Sequence, residues 1–570
     1  MEKISWMDWN KETFSKSRKE KKPILLDLTA VWCHWCHRQD KDTYENTEII
    51  KIVNEKFVPI RVDIDKRPDI RERYHFGGFP TTALLTSDGR VITGGTYIPP
   101  NQLKPILLEI AEDFKKSKGK IDTQFSPFER RVDFLSAPSR MEHEITENIT
   151  EKILSSATEN FDFDFGGFGN PQKFPTPAVL ELAMLEYRKT GDVRFLKMVD
   201  STLEGMENLL DKIGDGFFRY STSPDWKSPH YEKMLETNAG MIENYLDGYA
   251  LTKKEKYKEI AEKTIEYVKK VLYDRQKGAF YGSQDADEEY YKLNEAERRK
   301  RKTPSVDKTF YTDLNAMMVS AFLKASVVLD NKGLREIGLK AIEFLLKNSV
   351  SDMAGHYFDG KQNLGGLLSD QVYLIKCLLD AYEITHDKKY LKESESLTKI
   401  VLDKFYDKEL GGFFDRLKDE SEVGNLNIPF KPIFENSVMA GNLLRLYHLT
   451  ENEDYKKEAK ATLLVLLDNY ESYGFMASHY GLAVEKFLTP VVIDIIGESG
   501  NSKDILDASL KIFEPRKIVK FLDASKDKKT IKEKGYQYRG KPYAQVCKGV
   551  VCLPAKFDGT SLTEQLSEKD

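Results

Sequence analysis

The spacing of apolar positions changes twice along the chain. Between residues 23 and 97 the apolar residues come in short, nearly unbroken runs: PILLDLTA (23–30), VPIRVDID (58–65), GGFPTTALLTS (77–87) and RVITGGTY (90–97). Runs of this length predict strands, and a continuous one such as the first predicts a strand buried on both faces. A polar, helix-prone stretch (12–22) precedes them, and residues 34–44 suit a helix. PNQLKPILLEIAEDFKKS (100–117) closes the region as an amphipathic helix with proline near its start. The predicted order is β-α-β-α-β-β-α behind a leading helix.

From residue 141 the period becomes that of amphipathic helices. Twelve are predicted, near 141–161, 176–190, 192–212, 232–252, 255–273, 312–330, 333–349, 367–386, 388–405, 436–450, 453–471 and 475–488. A glycine-aromatic signal recurs between them: FGGFG (165–169), DGFFRY (215–220), KGAFYG (277–282), AGHYFDG (354–360), LGGFFD (410–415) and YGFMAS (473–478). Recurrence on this scale marks structural repeats. Each signal joins an odd-numbered helix to the next even one, so the repeat is a helical hairpin. Six such hairpins predict a closed (α/α)6 toroid, because closure leaves no exposed end to cap; an open solenoid is the alternative. After residue 490 the texture changes again. PVVIDIIG, a helix near 503–512 and KIVKFLD (517–523) read as β-α-β, and AQVCKGVVCLP (544–554) reads as a strand pair.

The fold class is therefore multidomain, α/β plus all-α: residues 1–120, a toroid over 121–489, and a small C-terminal α/β segment over 490–570. Of the 570 residues, 40% are apolar and 31% charged, which is ordinary for a globular protein. A net charge of −5 on so long a chain argues against nucleic-acid binding. The apolar runs are too short to span a bilayer, and the first residues carry no apolar signal core, so a cytoplasmic protein without membrane contact is expected. Five cysteines do not make a disulfide framework.

In AVWCHWCHRQD (30–40), CxxC opens a helix directly after the first strand. Three chemistries fit: a redox dithiol, a zinc half-site built from Cys33, Cys36 and His37, and a haem attachment point. A cysteine at a helix N-terminus faces unpaired N–H groups and the positive end of the dipole, which favours its thiolate. Cys33 is then the nucleophile and Cys36 the resolving thiol, and a protonated His34 between them would make the pair more oxidising.

This segment resembles thioredoxin over about 115 residues, carried by Trp32-Cys33 and the strand order. The resemblance implies that Asp27 moves the proton of the second cysteine. It also implies a cis peptide before Pro80, in Phe79-Pro80-Thr81.

If the toroid closes, all six glycine-aromatic loops share one end. His230, Glu232, Lys233, Asp285, Asp287, Asp313, Asp370, Glu435 and His479 follow those loops and would gather at one rim. The competing reading makes Asp313, Asp370, Asn436 and Ser437 helix N-caps and first-turn acids. Cys547 and Cys552 read either as a second dithiol exchanging with the first or as buried strand residues. ERRKRK (297–302) reads as a solvated loop face.

The segments CHWCH (33–37), VDIDKRPDI (62–70), GGFP (77–80), GGTYIPP (94–100), FGGFG with KFP (165–175), PHYEKML (229–235), DADE (285–288) and VCKGVVC (546–552) together resemble the spermatogenesis-associated protein 20 family of YyaL-type proteins. That resemblance implies a thioredoxin-like domain followed by a six-hairpin toroid of the glycosidase and N-acylglucosamine 2-epimerase type, with no settled reaction. The chain departs from the family's pattern at 236–238, 313–316 and Gln371, where aromatics that would stack on a sugar are missing.

Three functions follow. The first is thiol–disulfide exchange by Cys33, Cys36 and Asp27 on a disulfide-bearing protein. The second is sugar epimerisation, isomerisation or hydrolysis at the rim, with paired carboxylates or a base such as His230 or His479. The third is a non-catalytic redox sensor or binding module. A combination is expected: a thioredoxin-like domain on a toroid that holds a small, sugar-like ligand, enzymatic in one or both parts and without a cofactor.

Overall fold

The computed structural model describes residues 3–117, 121, 123, 127–129, 144–348, 352–419 and 422–569. The boundary expected at residue 120 and the first residues of the helix expected at 141 lie outside the described residues.

The N-terminal domain has a four-stranded sheet ordered β2-β1-β3-β4: β1 (Ile24–Thr29), β2 (Val58–Asp63), β3 (Thr81–Leu85) and β4 (Val91–Gly95). β1 pairs parallel with β2 and antiparallel with β3, which pairs antiparallel with β4. Five of the six β1 residues are buried, as the unbroken apolar run requires. The helices are α1 (Lys11–Glu20), α2 (His34–Gln39), α3 (Thr47–Lys56), α4 (Pro68–Tyr74) and α5 (Pro100–Lys116). The Phe79–Pro80 peptide is cis.

The twelve long helices form a closed double ring. Pro177–Thr190, Leu235–Thr252, Thr312–Val328, Leu368–Thr385, Ile433–Thr450 and Ser478–Leu488 make the inner ring; each packs on the next and the last packs back on the first. Asn148–Glu159, Val193–Met206, Glu255–Tyr267, Lys332–Asn348, Lys388–Lys404 and Glu453–Leu466 make the outer ring. Composition separates the layers. Thr312–Val328 has one charged residue beyond its first turn, Lys324, and that reaches Asp247. Lys388–Lys404 is charged on one face and buries Tyr390, Ser394, Leu397, Thr398 and Val401 on the other.

The glycine-aromatic loops all lie at the end where the inner helices begin. Four of them open on an aspartate (Asp162, Asp211, Asp274 or Asp407) whose carboxylate accepts from N–H groups two or three residues on. The glycines that follow adopt positive φ, as at Gly412 (75°), where a side chain would also strike Val465. Four loops are then clamped by an amide near the start of the next inner helix. Asn238, Asn315, Gln371 and Asn436 each accept from a loop N–H and donate to the same residue's carbonyl, at Phe217, Phe280, Ala354 and Phe413.

The C-terminal segment is α/β, as expected, and carries a four-stranded sheet. Val491–Gly497 pairs parallel with Lys517–Asp523 and antiparallel with Tyr543–Lys548, which pairs with Val551–Cys552. This is the strand order of the N-terminal sheet. Asp494 is fourth in its strand opposite Lys520, as Asp27 is fourth in β1 opposite Arg61.

The two sheets cover opposite ends of the toroid. The N-terminal domain sits over the glycine-aromatic loops; its buried Arg73 donates to Asp415 and to the carbonyls of Asn425 and Ile428. The C-terminal domain meets the far ends of the inner helices, through Arg188–Glu514, Lys520–Glu451 and Val519 N–H to Glu383. An 18-residue inner helix such as Leu368–Thr385 puts about 27 Å between the two ends. Among the described residues, no helix is long and apolar enough to cross a membrane.

Candidate functional site

Cys33 is the N-cap of α2, and its sulfur accepts from Cys36 N–H at 3.2 Å. The two cysteines form a disulfide and are 3% and 2% exposed. The two sulfurs are bonded to each other, and His37 faces Asp285 at 4.0 Å. In the strand that leads to the dithiol, Asp27 is 1% exposed. Its Oδ2 accepts from Arg61 at 2.7 Å and its Oδ1 has no hydrogen-bond partner. Burial pushes its carboxyl up to about 6 against the pull of Arg61.

The toroid builds the surface above this dithiol. Met234 shares an apolar cluster with Trp32, Cys33 and Cys36. Arg219, from the second glycine-aromatic loop, lies 4.6 Å over the Trp32 ring. His34 faces Glu288 at 3.8 Å. On the solvent side Val31 and Trp35 are 50% and 41% exposed.

Beside this contact a cavity of about 690 Å³ occupies the toroid mouth. The N-terminal domain roofs it with Asp65, Asp69, Arg71, Glu72 and His75, while Glu236, Tyr311, Asp313, His356, Tyr373, Glu435 and His479 line the toroid side. The carboxylates come from a simple register. Where an amide clamps the loop, a carboxylate one or two positions earlier turns inward: Glu236 before Asn238, Asp313 before Asn315, Asp370 before Gln371, Glu435 before Asn436.

Electrostatics here are set by burial. Asp65 is raised to about 7 by burial and by neighbouring Asp63 and Glu236. Glu435 is raised to about 7 by burial, with Glu72 and Asp415 adding to it. Glu236 is raised for the same first reason. One oxygen each of Glu236 and Glu435 is buried without a partner. His356 donates to Asp370 at 3.0 Å and to the carbonyl of Asp65 at 2.7 Å. Burial would depress it, but the Asp370 carboxylate lifts it to about 10, so the ring is cationic at neutral pH. Asp370 is fully buried behind it, raised to about 6 by burial. His479 is held neutral at about 4, by burial and then by Lys376. Asp65 joins the two places, because its carboxylate accepts from Trp32 Nε1 at 2.5 Å while its carbonyl holds His356.

The predicted rim residues divide. Glu435, Asp313 and His479 line the cavity, and Asp370 supports it through His356. His230, Glu232 and Asp285 fall outside the cavity lining. Asp285 faces His37 beside the dithiol. His230 stacks on Tyr220 at 4.5 Å and faces Glu232 at 3.5 Å. Asp287 caps the short helix Glu288–Tyr291. Lys233 is buried in an ion network with Asp211 and Arg298. Lys173 and Lys431 hold Asp162 and Asp407 the same way, so Lys233 is one of three loop-locking lysines rather than a rim reagent.

Residues 297–302 are exposed, as the solvated reading expects, except Arg298, which is 7% exposed. Asp313 and Asp370 stand in the first turn of their helices, and none of Asp313, Asp370, Asn436 and Ser437 is itself the N-cap. The N-caps are Tyr311, Leu367 and Pro432, and Ser437 donates back to the Ile433 carbonyl. Sequence reasoning missed Asp65 and His356, although His356 stands inside the fourth glycine-aromatic loop as its one imidazole.

Replacing Glu435 by glutamine tests this burial. A carboxyl raised from 4.5 to about 7 stabilises the fold fully at low pH and loses that contribution as pH rises through 7, a swing of roughly 1–3 kcal/mol. Glu435→Gln should flatten the fall in the urea midpoint between pH 5 and 8 and leave the variant more stable at pH 8. An unchanged slope would show Glu435 to be hydrated.

Residues 1–133 match the family model described as "Thioredox_DsbH: Protein of unknown function, DUF255". Spermatogenesis-associated protein 20 of Homo sapiens is a homologue, 26% identical over 596 residues, covering 79% of this chain and 74% of that protein. The Rattus norvegicus protein of that name is 25% identical over 667 residues, covering 91% and 83%. Among solved structures, the crystal structure of D-mannose isomerase overlaps 61% of this chain and 99% of its own with a TM-score of 0.50 at 13% identity. That likeness shows the toroid fold.

Proposed function

We propose that this homologue of spermatogenesis-associated protein 20 is a thiol–disulfide oxidoreductase whose dithiol is held closed against a ligand-binding toroid. The observation that carries the reading is the seat of Cys33: a helix N-cap paired with Cys36, just after the strand that carries a buried, half-unpartnered Asp27. The thiolate of Cys33 attacks a substrate disulfide, the substrate's far sulfur leaves as thiolate, and Cys36 attacks the mixed disulfide to re-form Cys33–Cys36. Asp27, poised near 6, accepts the Cys36 proton. The exposed Val31 and Trp35 offer an apolar landing surface beside the sulfurs.

The test is disulfide reduction by the pre-reduced protein. Cys33→Ser should abolish turnover, Cys36→Ser should trap a mixed disulfide on Cys33, and Asp27→Asn should slow the resolving step about tenfold at pH 7. Wild-type rates in Cys33→Ser would sink the proposal.

The cavity favours a second reading, acid–base chemistry on a small hydroxyl-rich molecule. Asp65 and Glu435 sit near 7, where a carboxyl can both give and take a proton, and neutral His479 is a ready acceptor. Of the two histidines considered as a base, His230 is not among the cavity's lining residues. Calorimetric titration with a panel of aldoses and polyols should give heat that Glu435→Gln reduces; no heat from any of them would remove this reading.

A further inference from the structure

The C-terminal sheet copies the strand order of the N-terminal one, yet the turn after its central strand, ESGNS (498–502), holds no cysteine. Its cysteines lie in the outermost hairpin instead. Cys547 and Cys552 are register partners on Tyr543–Lys548 and Val551–Cys552 and are joined as a disulfide. Three features argue against a purely structural cross-link. The bond spans only five positions and closes a loop that the antiparallel pairing already closes, so it removes little further chain entropy. The strand it ties is two residues long and forms the sheet edge. Finally, Cys552 is exposed and Cys547 partly buried, next to a tip where Val550 and Val551 are 100% and 60% exposed.

We propose that Cys547–Cys552 is a second thiol–disulfide exchange site, reduced by an external thiol and independent of Cys33–Cys36. The external thiolate attacks Sγ of Cys552, the sulfur that solvent reaches. The Cys552–Cys547 bond breaks, its electron pair stays on Cys547, and that thiolate takes a proton from water. A second thiol of the external partner, or a second monothiol, attacks the partner's sulfur in the mixed disulfide and releases Cys552. The external reagent ends as a disulfide and supplies both electrons. Direct exchange with Cys33–Cys36 within one chain is excluded by the fold, because the two pairs belong to domains docked at opposite ends of the inner helices. The site does not depend on the mouth dithiol being active.

The experiment uses the full chain in two arms, reduced glutathione and a thioredoxin-type protein dithiol, with trapping by N-ethylmaleimide and peptide mass spectrometry. In at least one arm the 547–552 pair should be reduced ten or more times faster than the buried 33–36 pair. Cys33→Ser/Cys36→Ser should leave that rate within twofold. In a separate incubation with oxidised glutathione, the lone thiol of Cys547→Ser should attack the glutathione disulfide, releasing one glutathione thiolate and leaving an adduct on Cys552, while Cys552→Ser gains five or more times less on Cys547. No reduction in either arm, equal rates for the two pairs in the wild type, dependence on Cys33 and Cys36, or an adduct preferring Cys547 would each overturn the proposal.

Discussion

Replacing Arg73 with alanine is expected to cost about 3–5 kcal/mol and to release the thioredoxin-like domain from the toroid mouth. The Arg73 side chain has no exposed surface. It donates to Asp415 at 2.7 and 3.2 Å, to the Asn425 carbonyl at 2.9 Å and to the Ile428 carbonyl at 3.1 Å. Alanine supplies none of these donors and leaves the Asp415 carboxylate in a place where burial already pushes its pKa up. Two readouts follow. The urea midpoint should fall, and dithiothreitol should reduce Cys33–Cys36 at least tenfold faster, because the sulfurs lose the toroid surface that covers them. Adding Asp415→Asn should recover roughly 1–3 kcal/mol, since the stranded charge is then gone. A loss under 1 kcal/mol with unchanged reduction kinetics would mean that the domain is not held by this contact.

The second large effect is expected at Asp370. Asp370→Asn removes the counter-charge of His356, a ring 3% exposed, and should cost about 3 kcal/mol at pH 7. The pH dependence fixes the cause. A histidine raised from 6.5 to about 10 contributes stability that is complete below its ordinary pKa and disappears as pH rises through 10. Wild-type stability should therefore decline between pH 8 and 10.5, and the variant should be flat across that interval. Proton NMR of His356 should show its titration falling below neutrality in Asp370→Asn. A His356 resonance that still titrates near 10 in the variant would place the stabilising charge elsewhere, on Asp313.

The different placements of Lys233 and Glu435 share one origin in the sequence. Both were read from polar residues that follow a glycine-aromatic loop, and both stand beside a helix start. Lys233 turns back into the loop, where Asp211 awaits it, as Lys173 and Lys431 do in other hairpins. Glu435 precedes Asn436, whose amide is committed to Phe413, and the helical turn then points the carboxylate inward. One sequence signal covers both outcomes, because a residue's neighbours along the chain do not report which way the turn faces. Asp65 was passed over for a related reason. Its strand-end motif is local, but its partners Trp32 and His356 lie 33 and 291 positions away.

By itself the sequence determined the periods: strands buried on both faces around CxxC, then twelve helices in six hairpins, then a second α/β unit. Those features rest on backbone geometry and on which face of each element is apolar, and both are written locally. Only the tertiary structure decided that the two sheets cover opposite ends of the toroid, that the dithiol is closed by the toroid rim, and that Asp65, His356 and Glu435 share one cavity. Such meetings depend on how whole domains dock, and desolvation, which sets the charge of these groups, acts only once the docking has excluded water.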